Sequence, residues 1–408
     1  MLSLRMAWRN LWRHKRRTWL TASAMIFSNV LLVFMISLQF GSYQMMISNT
    51  LQALSGNLQV QADGYNDDPK IRNSMAAVDV LARRIGEELP GADVAARAFG
   101  FALVSSEQRS FGIQVIGVQP EPEARVSILP GLTREGRYLE DPAAAEIVIG
   151  NVMARNLKAS VGDELTLLGS GRDGSFAAGV VTIAGIFETG MPDMDRSIAE
   201  VGLDYFQETF AMGDHGHTVV VALDQLDQTR SAVLSAEQVI AERDDLMVLD
   251  WEALNPGLKQ AIQADFSSAW FMYGVLIVLV AFSVLNTQLM SVLERTREFG
   301  VITALGIRPR KLASLVMLET SLMAVVGLVI GLLLGSLLAL YFNHYGFAYP
   351  GMEELAERYN MAGRVYPSVS VLSLMLGPSV VFLFCLLASV YPALRLFRLQ
   401  PVEAMRAV

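Results

Sequence analysis

No Gly-Lys pair occurs anywhere in the 408 residues. The glycine-rich loop that ends in Lys-Ser/Thr and cradles nucleotide phosphates is therefore absent from this chain. There is no H-E-x-x-H helix, no pair of cysteines at metal-binding spacing and no G-x-S-x-G elbow, so zincin, zinc-finger and serine-hydrolase chemistry find no support. The single cysteine, Cys385, lies in an apolar run and excludes an internal disulfide. Charge is scarce: charged residues make up 18% of the chain, against roughly 25% in a soluble domain. It is also uneven. No charged residue occurs between Thr18 and Asp63, and none between Arg364 and Arg395. Residues 41–265 hold 16 Lys and Arg against 33 Asp and Glu, the opposite of the clustered positive charge a nucleic-acid surface needs. His215 and His217 sit beside Asp214, a spacing read here as solvated loop polar groups rather than metal ligands.

What fills the uncharged stretches is hydrocarbon. A helix of about 20 mostly apolar residues crosses a bilayer, and four segments qualify: Trp19–Phe40, Ser268–Leu293, Leu312–Phe342 and Val369–Leu394. The first has too long an apolar core for a cleaved signal and lacks a small-x-small site, so it is read as an uncleaved anchor. Four spans leave the N-terminus, the loop after the second span and the C-terminal tail on one side. All three are basic: residues 1–18 carry six Lys and Arg and no acid. That side is the cytoplasm by the positive-inside rule. The chain then divides into an amphipathic cytoplasmic helix 1–18, span 19–40, an extracytoplasmic domain 41–267, span 268–293, a cytoplasmic loop 294–312, span 313–342, a short outer loop 343–368, span 369–394 and a tail 395–408.

The outer domain begins and ends in helical patterns that continue the spans, a two-helix stalk. Between them, helices are predicted at Val78–Leu89, Val152–Leu157, Leu203–Ala211 and Leu226–Arg243. Strands are predicted at Ala98–Ser105, Ser110–Val118, Glu146–Ile149, Glu164–Leu168, Phe176–Phe187 and His217–Leu223. The order gives an α+β core with a β-rich insertion near 120–195.

Three features inside the membrane portion call for an explanation. Glu319 is a carboxylate within the third span, where it either snorkels to the cytoplasmic interface, caps a neighbour, or pairs with basic groups at the base of the bundle. Gly327, Gly331 and Gly335 repeat G-x-x-x-G in register and predict close approach of another helix. Met25, Met35, Met45, Met46, Met272 and Met290 supply adaptable apolar surface on the first and second spans, where a membrane-derived substrate would gain access.

The loop after the second span reads Glu294-Arg-Thr-Arg-Glu-Phe-Gly-Val-Ile-Thr-Ala-Leu-Gly-Ile-Arg-Pro. Phe299, Ile302, Leu305 and Ile307 form an apolar edge between charges, Gly306 is a helix stop and Pro309 suits the first turn of the next helix. Glu294, Arg295, Arg297, Glu298, Gly300, Ala304 and Gly306 resemble, in register, the E-R-x-R-E-x-G-x-x-x-A-x-G loop of FtsX/MacB-type ABC transporter permeases. The tail from Tyr391 to Arg406 and the N-terminal Ala7–Thr18 segment are similar to that family as well. Gly117–Glu123, Val148–Leu157, Val161–Leu165, Gly185–Asp195 and Trp251–Pro256 resemble its lipoprotein-releasing LolC/LolE branch.

The resemblance implies an extracytoplasmic domain of MacB-like periplasmic core type and location in the bacterial inner membrane. It implies a coupling helix over 294–306 that docks on a separate cytoplasmic ATPase dimer. ATP and Mg would be bound by that ATPase, with no cofactor or metal in this chain and no catalytic residue of its own. It further implies a second permease subunit, identical or related, a periplasmic protein partner, and a lipoprotein or other lipid-like substrate taken from the outer leaflet. A MacB-like efflux subunit with an adaptor and outer-membrane channel, or an FtsX-like activator of a cell-wall hydrolase, are the competing readings.

Overall fold

Long runs without charge, glycine-poor at their ends and rich in Leu, Val and Ala, fold as uninterrupted helices because only a helix satisfies its own backbone in hydrocarbon. The computed structural model describes residues 2–13, 15–107, 109–348, 351 and 363–398. Residues 349, 350 and 352–362 of the loop between the third and fourth spans and all of the tail beyond 398 lie outside the described residues, and so does the second half of the tail's family-like motif.

In chain order the helices are α1 (Leu2–Arg13), α2 (Lys15–Thr50), α3 (Val78–Glu88), α4 (Pro120–Val126), α5 (Asn151–Leu157), α6 (Pro192–Ser197) and α7 (Leu203–Thr209), then α8 (Thr229–Val239), α9 (Trp251–Leu254), α10 (Pro256–Glu294), α11 (Thr296–Ala304), α12 (Pro309–Tyr345) and α13 (Val371–Arg395). The helices α2, α10, α12 and α13 are long and apolar enough to cross a membrane. The predicted helix at Leu226–Arg243 opens as a 3-10 turn and ends at Val239. The helical pattern before the second span is broken once, at Asn255, ahead of Pro256.

The chain divides into two compact units, one built from 2–45, 261–348 and 364–398, the other from 46–260. The first is a helical bundle. Met25, Leu32 and Ile36 of α2 join Tyr273, Ile277, Val280 and Val284 of α10, Met323 and Ala324 of α12, and Val381 and Cys385 of α13 in one buried cluster. At Gly41 a side chain would strike the Tyr366 carbonyl oxygen, and Ser368 donates its N–H to the Ser37 carbonyl (2.8 Å), so the start of α13 is held against α2.

The second unit carries ten strands: β1 (Leu58–Ala62), β2 (Asp93–Ser105), β3 (Ser110–Val118), β4 (Thr133–Gly136), β5 (Glu146–Gly150), β6 (Glu164–Ser170), β7 (Phe176–Phe187), β8 (Ile198–Gly202), β9 (Thr218–Ala222) and β10 (Leu246–Asp250). Their order is β10-β1-β9-β2-β3-β8-β5-β7-β4, and β6 bridges β2 to β7. Hydrogen-bonded pairing therefore runs round a closed ring, β2-β3-β8-β5-β7-β6 and back to β2. Closure removes the free edges these strands would expose. The β-rich stretch expected near 120–195 supplies β4 to β7, and the ring weaves β5, β6 and β7 between β2, β3 and β8. The first half of β2, which sequence reading left unassigned, extends the sheet to β9, β1 and β10.

Two buried groups shape this unit. His217 is fully buried, which corrects its reading as a solvated loop residue. The Phe99 N–H donates to its Nδ1 (2.9 Å) and its Nε2 donates to the Ile71 carbonyl (3.0 Å). Burial pulls its imidazole down to about 4. On β8, Glu200 is fully buried and accepts a hydrogen bond from the Tyr138 hydroxyl (2.7 Å), while no protein atom among the described residues bonds its other oxygen. Arg97 is already balanced by Glu123, so burial, and after it the Glu123 charge, push Glu200 up to about 8.

The two groups give opposite pH dependences. Because the folded form holds the Glu200 proton more tightly than the unfolded chain does, its contribution is intact below the ordinary value of 4.5 and is lost as pH rises towards 8. His217 works the other way and is complete above its ordinary 6.5. Between 6.5 and 8 the Glu200 effect dominates, and the outer unit is expected to lose roughly 2 kcal/mol. Hydrogen-exchange protection of the β3 and β8 amides in the full chain, corrected for intrinsic rates, reads this slope. It should flatten in Glu200→Gln; an equal slope in that variant excludes Glu200 as its source.

Candidate functional site

The segment 294–312 forms its site from three local decisions. Gly306 sits at φ 92°, a left-handed conformation that a side chain adopts only with strain, and this ends α11. Arg308 is extended, as a residue before proline must be. Pro309 then opens α12 at a position where its missing N–H costs nothing.

The face of α11 that is fixed is apolar. Phe299 is 1% exposed and packs with Val292, Leu312, Ala313, Val316, Ala393 and Leu396; Gly300 beside it is also buried. The opposite face is exposed among the described residues: Arg297, Val301, Ala304, Leu305 and Gly306, Leu305 by 79%, with Glu298 exposed at its border.

Below α11 lies a polar knot. Glu319, in the third turn of α12, has only 8% of its side chain exposed. Both its oxygens accept from Arg295 Nη1 (3.1 and 3.0 Å), and Oε1 also accepts from Asn10 Nδ2 of α1 (2.6 Å). The structure thus selects pairing over snorkelling for Glu319. Arg295 lies 4.9 Å from the centroid of the Phe299 ring and reaches Glu298 (3.4 Å), which also accepts from Arg13 of α1 (3.2 Å). Asn10, Arg13, Gln288, Ser291 and Thr287 border a cavity of about 20 Å³ beside Glu319, room for about one water molecule. Asn10 and Arg13 were not among the site residues expected from sequence. Their i, i+3 spacing on an amphipathic helix was the available signal, but nothing in the sequence tells which helix that face meets.

The glycine repeat is a contact surface. A Cβ built at Gly327 would lie 2.8 Å from Met25 Cβ, at Gly331 2.5 Å from Asn29 Cβ, and at Gly335 2.8 Å from Val33 Cβ. The stripe is therefore where α2 lies against α12, and Asn29 Nδ2 donates to the Gly327 carbonyl (3.3 Å).

The methionines do not gather. Met25 is 1% exposed and packs against the glycine stripe rather than lining an opening between the first and second spans. Met35 packs at the edge of the bundle core, Met45 is half-buried, and Met46, Met272 and Met290 are exposed singly. The groove between the first and second spans is instead bridged by polar contacts. Thr21 donates to Thr287 (3.0 Å) near the basic end, and Tyr273, Gln39, Tyr43 and Asp265 form a hydrogen-bonded chain (2.6–2.8 Å) near the other.

Comparisons with known proteins bear on the whole chain. The MacB-like periplasmic core domain model matches residues 18–239, and the FtsX-like permease C-terminal model matches residues 270–401. The lipoprotein-releasing system transmembrane protein LolC of Xylella fastidiosa is 24% identical, over 71% of this chain and 72% of its own length. The macrolide export ATP-binding/permease protein MacB of Bordetella avium is 24% identical, over 81% of this chain and 51% of its own. Among solved structures, the periplasmic region of MacB from Actinobacillus actinomycetemcomitans matches 53% of this chain and 98% of its own at 13% identity, with a TM-score of 0.37. With both parts of its length accounted for by these models, the chain belongs to the FtsX-like ABC transporter permeases of the inner membrane that carry a MacB-like periplasmic core domain.

Proposed function

We propose that this permease subunit couples ATP hydrolysis by a separate cytoplasmic ATPase dimer to motion of its periplasmic unit, and that the substrate is a lipoprotein or similar lipid-like molecule of the outer leaflet. The observation that carries the first part is the two-sidedness of α11. Phe299 is sunk into the bundle and Arg295 is clamped to Glu319, while Val301, Ala304 and Leu305 face outward beside Arg297 and Glu298. A short helix held rigidly from behind, with an apolar ridge between charges, is what fits a groove on a partner. The positive-inside rule puts it in the cytoplasm. ATP and Mg belong to the partner ATPase in this scheme.

The substrate reading draws on the LolC and LolE relatives, named for a lipoprotein-releasing system. A second permease copy or relative completes the transporter, and a periplasmic protein receives the cargo. Motion passes along α2 and α10, the two helices within which the chain leaves and rejoins the bundle.

Co-purification tests the docking face. Leu305→Asp, on an exposed position, is expected to weaken ATPase capture by about 2 kcal/mol or more, roughly thirtyfold, and to return ATP turnover to that of the ATPase alone. Retained capture and stimulation in Leu305→Asp would remove α11 from the coupling role.

A further inference from the structure

The outward side of α1 is unlike the rest of the bundle. Its inner side is spent on the bundle: Ala7 and Leu11 are buried, and Asn10 reaches Glu319. On the other side Trp8 and Trp12, with Trp19 from the start of α2, are 46%, 37% and 50% exposed and stack edge to face in a ladder, with centroids 5.9 and 6.2 Å apart. Thr18 donates to the Leu11 carbonyl (2.6 Å), which ties the end of α1 to the start of α2. Arg5, Arg9, Lys15 and Arg16 are exposed around this ladder and form no ion pair among the described residues. No acidic residue occurs in 1–18 to neutralise them.

Indole rings settle at the level of lipid headgroups, apolar body inward and N–H outward. Basic side chains beside them lie where the phosphates are, and each gains about fivefold in local binding when the leaflet is anionic. We propose that α1 and the first turns of α2 together form an anionic-lipid-binding segment: Trp8, Trp12 and Trp19 seat it in the headgroup layer, and Arg5, Arg9, Lys15 and Arg16 select lipids with a net negative headgroup. The complementary charge and the aromatic ladder favour a lipid surface over a protein groove, which would leave four cations to be matched one by one.

Tryptophan quenching tests this without any ATPase, so its failure is separate from failure of the docking reading. The full chain carrying Trp251→Phe and Trp270→Phe leaves only the three α1-side indoles among its five tryptophans. It is placed in vesicles of phosphatidylcholine mixed with equal parts phosphatidylglycerol, with one or the other lipid brominated. Brominated phosphatidylglycerol is expected to quench at about a fivefold lower bulk fraction than brominated phosphatidylcholine, with the preference shrinking at high salt. Changing Arg5, Arg9, Lys15 and Arg16 together to glutamine should bring the two lipids level while quenching itself persists. Equal quenching by both lipids in the unchanged protein, a preference that survives the four substitutions, or no quenching by either lipid each overturns the proposal. Since the four side chains form no ion pair among the described residues, the variant is expected to fold; an unchanged melting temperature verifies it.

Discussion

Replacing Arg97 with alanine is expected to destabilise the outer unit by about 3–5 kcal/mol, which is the usual consequence of removing one half of a buried ion pair. Arg97 and Glu123 are both fully buried, and the guanidinium grips the carboxylate with two bonds, Nε to Oε2 (2.9 Å) and Nη2 to Oε1 (2.6 Å). Its remaining nitrogen donates to the carbonyl of Leu54, in the π-helical turn that follows α2. Alanine leaves Glu123 charged in an apolar interior beside Glu200, a second carboxyl already held protonated. It also strips a donor from the turn at Leu54. The measurement is denaturant unfolding of the full chain in detergent, followed through exchange of the β2 and β3 amides. Arg97→Met together with Glu123→Leu removes both charges and should recover most of the loss. If the single and double variants unfold alike, the pair is not what holds this region.

Gly331→Leu is expected to prevent the first and third spans from closing. Even a methyl group at Gly331 would fall 2.5 Å from Asn29 Cβ and 3.1 Å from the Ile26 carbonyl oxygen. Both obstacles belong to or adjoin the backbone of α2, so neither can swing aside. Overpacking of this kind costs about 1–3 kcal/mol for a small group in a yielding core, and leucine against backbone exceeds that. Gly274, in α10, is the control: a Cβ there meets nothing within 4 Å among the described residues. Size-exclusion profile and melting temperature in detergent should separate Gly331→Leu from Gly274→Leu. Similar behaviour of the two would mean that the glycine stripe does not carry the α2–α12 contact.

The membrane portion was legible because its signals are one-dimensional. Hydropathy, the absence of charge between Thr18 and Asp63, the glycine spacing and the loop after Glu294 can all be read along the chain. What sequence cannot supply is the partner across space. The repeat at Gly327, Gly331 and Gly335 announced a close neighbour but not that it is α2. Glu319 left snorkelling and pairing both open along the chain; the Asn10 contact that helps decide it comes from a helix 309 residues away. In the outer unit polarity conceals burial: His217 reads as a solvated loop residue but is fully buried, and nothing along the chain marks Arg97, Glu123 and Glu200 as buried. The short strand β8 around Glu200 and the first half of β2 around Arg97 carry charged residues, which weakens the apolar pattern that marks a strand. The strands β1 and β10 were missed because each is five residues long and is held by neighbours distant in sequence.

One contact in the bundle also fixes a waiting time during synthesis. Asn29 is a buried amide in the first span, and the carbonyl it bonds, Gly327, follows it by 298 residues. A ribosome adding 5–20 residues per second needs roughly 15 to 60 seconds to make that distance. Throughout that interval a polar side chain sits in the bilayer without its partner, and the outer unit is made before the third span appears. The first span therefore reaches its final packing only once Gly327, about four-fifths of the way along the chain, has been translated.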